Sequence, residues 1–373
     1  MDGEGRWIGR REALERLGVK TQTLYAYVSR GRITARPDPG DPRRSLYAVR
    51  DIERLIRGEG PSEAPPERAA ARGEAELLSG LSTLVGGRLY YRGMDAAELA
   101  QQATLEEVAR RLWDVEGAPF VDLRPRVDLF TAGSIRSRVF ATLARRAGEA
   151  PPGDGMDEAA RVTDAAAALN EVVDAASGPG PRSHFHQRLA RGWKMVERDA
   201  HLLRRALVLC ADGRMSAAVL ATRTAAAGGA SMAGAALAGL TTLAASGLVR
   251  RTQAAVIEVI DARRDPNFTP PPVAADGDWP DGDPRGSALL AAVPATGELT
   301  RVRQRFEAAG RPVDLALALA LTTRSLELPR EAAVDLILIG RLAGLLGHAL
   351  DQRRSGSPIR ARLRYVGPEP GAR

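Results

Sequence analysis

Apolar residues recur at helical spacing along most of the chain, and no regular alternation of short strands with helices breaks that rhythm. In the first stretch, Trp7 to Arg57, the order reads helix, turn, helix, short hairpin, helix. Glu12, Ala13, Leu14 and Leu17 form a first amphipathic turn that Gly18 stops, and Thr21 caps a second helix carrying Thr23, Leu24, Tyr25 and Val28. Gly31-Arg32-Ile33, the cluster Pro37, Pro39, Gly40 and Pro42, and then Arg43 to Tyr47 predict a two-stranded wing. Asp51 opens a last helix with Ile52, Leu55 and Ile56. Residues 58–73, rich in proline, glycine and charge without apolar periodicity, read as a linker. Beyond it, alanine- and leucine-rich helical segments run to about Asp351, with breaks at Gly117–Pro119, Ala150–Gly155, Ser177–Pro181 and Asp265–Gly286. The expected fold class is all-α, with a small domain at 1–57, the linker at 58–73 and a large domain at 74–373.

One stretch changes the picture if read alone. Thr224 to Val249 carries no charge, long enough to span a bilayer by the ~20-residue criterion. Its Ala, Gly, Ser and Thr content, with only four leucines, favours tightly packed buried helices instead. Composition agrees: 373 residues at 44% hydrophobic and 27% charged are those of a globular protein. The net charge of +7 is almost wholly arginine, since Lys20 and Lys194 are the only lysines, and it hints at anionic partners. A single cysteine, Cys210, excludes an intramolecular disulfide framework or a cysteine zinc cluster, and with an N-terminus lacking an apolar signal core it points to a cytoplasmic chain.

The segments RLGVKTQTLYAYVSRGRI and DPRRSLYAVRDIERL resemble the MerR/excisionase-type winged helix-turn-helix. That resemblance implies a second helix in the major groove and a wing on phosphate. The candidate DNA-contacting set is Lys20, Arg30, Arg32, Arg43 and Arg44 for phosphates, with Thr21, Gln22 and Tyr25 toward base edges. Thirteen basic against eight acidic residues in 1–57 is a modest excess, and a helical docking module with a solvated basic face is the alternative. One copy offers one half-site, so DNA binding implies a dimer.

Three ordered motifs resemble citrate synthase. Leu77 to Trp113 is similar to that family's opening hairpin, Tyr-Arg-Gly turn and helix; Pro280 to Gly286 (PDGDPRG) is similar to its Pro-X-Gly-Asp-Pro-Arg loop; and RPVDLALALALTTRSLELPREAAVDLILIGRLAGLLGHALDQ with SPIRARLRYVGPEP resembles its C-terminal region. The resemblance implies large and small helical subdomains, the small one inserted at about 211–315, and a homodimer. It implies transferase chemistry of the tricarboxylic acid cycle, condensation of acetyl-CoA or another acyl-CoA with a 2-oxo acid, without metal or bound cofactor. A carboxylate takes a methyl proton, imidazoles stabilise the enolate and polarise the ketone, and guanidinium forks clamp the carboxylates. Carried over by motif, the base is Asp314 and the clamp is Arg285, Arg341 and Arg360, the last reaching the partner subunit's site.

The family's histidines are absent. Gly213 stands at the substrate-binding histidine in Ala211-Asp212-Gly213-Arg214-Met215-Ser216, Thr241 to Leu248 offers none, and Asp276 stands at the third position. A carboxylate at Asp276 is ionised near neutral pH and repels a dicarboxylate. His184, His186, His201 and His348 lie elsewhere; His184-Phe185-His186 lacks further metal ligands, and His348 reads as a packed histidine. Three readings stay open: a catalytically impaired carboxylate or acyl-CoA binder that signals to a DNA-binding module, an active acyltransferase with an altered site, or a non-catalytic subunit that pairs with an active homologue.

Overall fold

The computed structural model describes residues 7–19, 21–29, 33–38, 40–56, 77–126, 128–150, 155–178, 180, 183–273, 279 and 282–359; of residues 22, 25, 26, 29, 42, 43 and 54–56 it describes only the backbone. The chain divides into two compact units, the second spanning Leu78–Arg360. The predicted linker, 58–73, lies outside the described residues.

In the first unit, β1 (Trp7–Gly9) leads into α1 (Arg10–Leu17). Gly18 ends that helix at φ 65°, a left-handed conformation that suits glycine, with its N–H donated to Leu14 O. Then follow α2 (Thr21–Ser29), β2 (Ala35–Asp38), β3 (Asp41–Ala48) and α3 (Val49–Ile56). The expected two-stranded wing is instead a three-stranded antiparallel sheet in the order β1-β3-β2, because Trp7–Gly9 pairs with Leu46–Ala48. Three residues before a helix are too few to show period-two alternation, and so β1 escapes a pattern search. Ile8, Ala13, Leu24, Ile33, Tyr47, Val49 and Ile52 form the core of this unit. The buried Asp51 carboxylate ties the hairpin to α3 by accepting from Thr34 N–H at 2.8 Å.

The second unit opens with a three-stranded meander, β4 (Ser82–Val85), β5 (Arg88–Tyr91) and β6 (Met94–Asp95). Gly86 and Gly87 at φ 55° and 71° supply the two left-handed positions that a two-residue hairpin requires. Helices then follow one another: α4 (Ala96–Gln102), α5 (Leu105–Leu112), α6 (Ile135–Glu149), α7 (Glu158–Ser177), α8 (Phe185–Gly192), a 3-10 turn at Glu197–Asp199, α9 (Ala200–Leu209), α10 (Ala217–Ala227), α11 (Met232–Ala244), α12 (Gly247–Arg264), α13 (Pro284–Leu290), α14 (Gly297–Ala308), α15 (Leu315–Ser325) and α16 (Ala332–Ser355). The fold class is therefore all-α. Side-chain caps explain many of the starts: Asp95 accepts from Ala97 and Glu98 N–H, Thr104 and Glu107 form a reciprocal capping box, and Ser216, Ser231, Ser246 and Asp314 each accept from the third helical N–H.

The uncharged run resolves into α11, parts of α10 and α12, and the turns between them. α16 is long and apolar enough to cross a membrane, yet its apolar window is wholly buried inside the protein. It is the central helix, packed by α5, α7, α9, α10, α11 and α12, which is why it carries no polar face over most of its length. Gly340, Gly344 and Gly347 let neighbours close in: a Cβ at Gly344 would lie 2.7 Å from Asp212 Oδ1, and one at Gly340 2.8 Å from Leu207 O. Trp113 crosses from the end of α5 to donate its indole N–H to Ala343 O at 2.8 Å.

Candidate functional site

The turn between α9 and α10, residues 210–216, is fastened from three sides. Ser82 Oγ donates to Asp212 Oδ2 at 2.7 Å, His348 Nε2 lies 3.2 Å from the same oxygen, and the Tyr91 hydroxyl donates to Val208 O at 3.1 Å while accepting from Asp212 N–H at 3.2 Å. Gly344 N–H donates to Ala211 O at 3.0 Å. Burial alone would raise the Asp212 carboxyl, but His348, Arg341 and the Ser82 hydrogen bond outweigh it and hold the group below the usual carboxylate range. Cys210 opens this turn, 1% exposed, with its thiol pushed up to about 12 by burial. His348 is thus a packed residue bonded to a buried acid.

Above the turn is a cavity of about 530 Å³, within the range of small-ligand sites. Among the described residues, five arginines line it, Arg214, Arg250, Arg251, Arg285 and Arg341, and no carboxylate and no histidine does. Arg341, 5% exposed, is held by one hydrogen bond, Nε to Cys210 O at 3.2 Å. Its guanidinium lies beside Gly213, where a Cβ would stand 2.9 Å from Nη2. Only glycine at 213 leaves the cation that room. Arg285 stacks on Trp279, 4.7 Å from the ring centroid, and pairs with Asp283, Nη2 to Oδ2 at 2.8 Å and Nε to Oδ1 at 2.9 Å. Burial works against its charge, but the Asp283 carboxylate more than offsets this and raises its pKa.

Asp314 caps α15 by accepting from Leu317 N–H at 2.8 Å, and its Oδ2 is 3.8 Å from Nε of Arg251, a cavity arginine. Burial lifts its pKa above the usual range, against the pull of the Leu317 N–H and Arg251. Gly286 brings α13 against this point, since a Cβ there would lie 2.6 Å from Asp314 O. The structure therefore brings Gly213, Arg285 and Arg341 to one cavity and Asp314 to an arginine on its wall. Asp276 and Arg360 lie outside the described residues, as do Lys20, Arg30 and Arg32 of the front unit. Thr21 begins α2 and Arg44 is exposed on β3, 3.3 Å from Asp41; the backbones of Gln22 and Tyr25 are in α2 and that of Arg43 in β3.

Motif transfer missed Arg214, Arg250 and Arg251. Each lies in or just after a segment that lacks the expected histidine, Arg214 directly after Gly213 and the pair just past Leu248. A cation beside two of the three missing imidazoles was the available signal. The other histidines stand apart: His184 and His186 stack with ring centroids 5.7 Å apart, burial pushes His186 down to about 4, and His201 bonds Arg198 O at 2.8 Å. No group of three or more potential ligands for a metal occurs among the described residues.

Citrate synthases are among the solved structures that match this architecture. Citrate synthase from Thermotoga maritima aligns with a TM-score of 0.56 at 16% identity, over 81% of this chain and 96% of that one. The fold is citrate-synthase-like. Citrate synthase from the thermophilic archaeon Thermoplasma acidophilum, solved as a ternary complex with carboxymethyl coenzyme A and oxaloacetate, aligns with a TM-score of 0.60 at 15% identity, over 82% of this chain and 97% of that one. No family model matches the chain, and no curated protein matches it in sequence.

Proposed function

We propose that the chain is a citrate-synthase-like binder of di- or tricarboxylates or of acyl-CoA, impaired in ordinary citrate synthesis. One observation carries the reading: among the described residues, five arginines and no histidine line the cavity. Guanidinium forks match carboxylates bidentately, so affinity for such anions is expected to remain. Catalysis needs a neutral donor where charge develops on the enolate and the ketone. Loss of one such donor typically costs ~100- to 1,000-fold in turnover. A permanently charged Arg341 over Gly213 grips an anion there in reactant and transition state alike, and such uniform binding does not accelerate the chemical step. Calorimetric titration with citrate, oxaloacetate and CoA tests this: at least one should bind, and no heat from any of the three would remove the reading.

Asp314 favours a second reading, an acyltransferase with an altered site. Its raised pKa and its place beside a cavity arginine suit a general base. A CoA-release assay with several 2-oxo acids discriminates: turnover lost in Asp314→Asn, with binding retained, would establish the acyltransferase. On either reading we place the small subdomain at about 211–315 and infer a cytoplasmic homodimer, with Arg360 completing the partner's site. Pairing with an active homologue is the heteromeric version of the same interface.

For the first unit we propose a winged helix-turn-helix that binds DNA, with a basic set at Lys20, Arg30, Arg32, Arg43 and Arg44. Support comes from its element order, two helices, a hairpin and a third helix about one apolar core. Ligand occupancy of the cavity would then bias a DNA-binding dimer, if its two arrangements differ in ligand affinity.

A further inference from the structure

We propose that the arginine cavity takes a phosphorylated small organic acid, with the phosphate held by the starts of two helices and the carboxylate by Arg341. This rests on the cavity being an anion site and narrows the ligand it takes.

The lining includes the first two residues of α10, Ala217 and Ala218, and the first two of α12, Gly247 and Leu248. In each helix the serine cap, Ser216 or Ser246, accepts from the third N–H, that of Val219 or Val249. The first two N–H groups have no acceptor within a helix, and none meets these four among the described residues. The starts of two helices of 11 and 18 residues thus border one space, with four N–H groups that meet no acceptor among the described residues.

Arg341 is the independent second observation. It is 95% buried, lines the cavity, and uses only Nε, so that Nη1 and Nη2 meet no acceptor among the described residues. Gly213 leaves that fork uncovered where it stands, since a Cβ would come within 2.9 and 3.1 Å of its two nitrogens and push the guanidinium aside. Of the five arginines, Arg285 and Arg251 have acids beside them, Asp283 and Asp314; Arg250 and Arg341 have no acid within ion-pair distance among the described residues, and the charge of Arg341 reaches the buried Asp212 only beyond that distance. A planar carboxylate has two oxygens and one charge. A phosphate monoester brings three acceptor oxygens and about −1.5 to −2 charge near pH 7, enough to accept from both helix starts at once. A flat, bidentate group then suits the remaining fork of Arg341.

The test is calorimetry on the full chain with phosphoglycolate, malonate, citrate and CoA. Phosphoglycolate and malonate each put a second anionic group one carbon from a carboxylate, so they differ chiefly in phosphate against carboxylate. Phosphoglycolate should bind at least about tenfold tighter than malonate. Ala217→Pro and Gly247→Pro each delete one donor at the first helical position, where proline is tolerated, and both follow a serine in extended conformation. With melting temperature unchanged, each should weaken phosphoglycolate about tenfold, the loss of one charge-assisted hydrogen bond, and leave malonate within about twofold. Arg341→Ala should weaken both. Equal affinity for the two ligands, or proline variants that affect both alike or neither, would overturn the proposal. If CoA binds tighter than phosphoglycolate and the proline variants weaken CoA alone, the phosphate belongs to a nucleotide and the small-acid assignment fails. If citrate binds and phosphoglycolate does not, only this inference falls; if no anion binds, the proposed function falls with it.

Discussion

Asp335 shows what a single buried charge does to this protein. It lies in the first turn of α16, 3% exposed, and burial pushes its carboxyl up to about 7, against Arg136 and Arg138 and with the help of Glu331. Its folded pKa exceeds the unfolded value near 3.9, so the folded state holds the proton longer. Stability therefore falls as pH rises from about 4 through 7, and the loss is complete above that. Asp335→Asn should melt several degrees higher than the parent at pH 8 and at the same temperature at pH 4, in thermal scans across the two pH values. Equal melting at pH 8 would show that the arginines already neutralise the group. At this scale the sequence was legible where a residue acts within its own stretch, as with Gly18 at the end of α1. It was not legible where a residue acts by what it omits. Gly213 matters because Arg341, 128 positions away, fills the space beside it, and no local pattern records that contact.

Among the elements, α16 depends on its glycines. A methyl group at Gly344 would meet Asp212 Oδ1 at 2.7 Å and the Ala211 carbonyl closer still, both parts of a turn already pinned by Ser82, Tyr91 and His348. Such backbone and buried-acid neighbours cannot swing aside as a flexible chain end does. Gly344→Ala should therefore cost about 1–3 kcal/mol, read as a lower denaturation midpoint with unchanged slope. A variant as stable as the parent would mean that the turn can move. The breaks at Gly117, Ala150, Ser177 and Asp265 each fall between observed helices, because proline, glycine and capping side chains act locally. β1 was missed because its partner, β3, lies more than thirty residues on, and pairing of that kind leaves no trace in so short a stretch.

For the molecule as a whole, the all-α class follows from the helical spacing of apolar residues. What periodicity could not supply was the convergence of Arg214, Arg250, Arg251, Arg285 and Arg341 on one cavity, which depends on how α9, α10, α12, α13 and α16 pack. The front unit's modest charge makes a sharp expectation for the full chain: affinity for duplex DNA should drop by at least tenfold between 50 and 200 mM salt, and Arg44→Ala should lower it a few-fold at fixed salt. Fluorescence anisotropy with a labelled duplex measures both. Binding that is absent at the lower salt would assign the unit to docking instead. Cys210, the chain's one cysteine, lies buried at the start of the turn 210–216 with its proton tightly held. A folded molecule should consequently ignore a thiol-modifying dye that an unfolded one takes up, so the protein carries its own reporter for the moments when that turn comes apart.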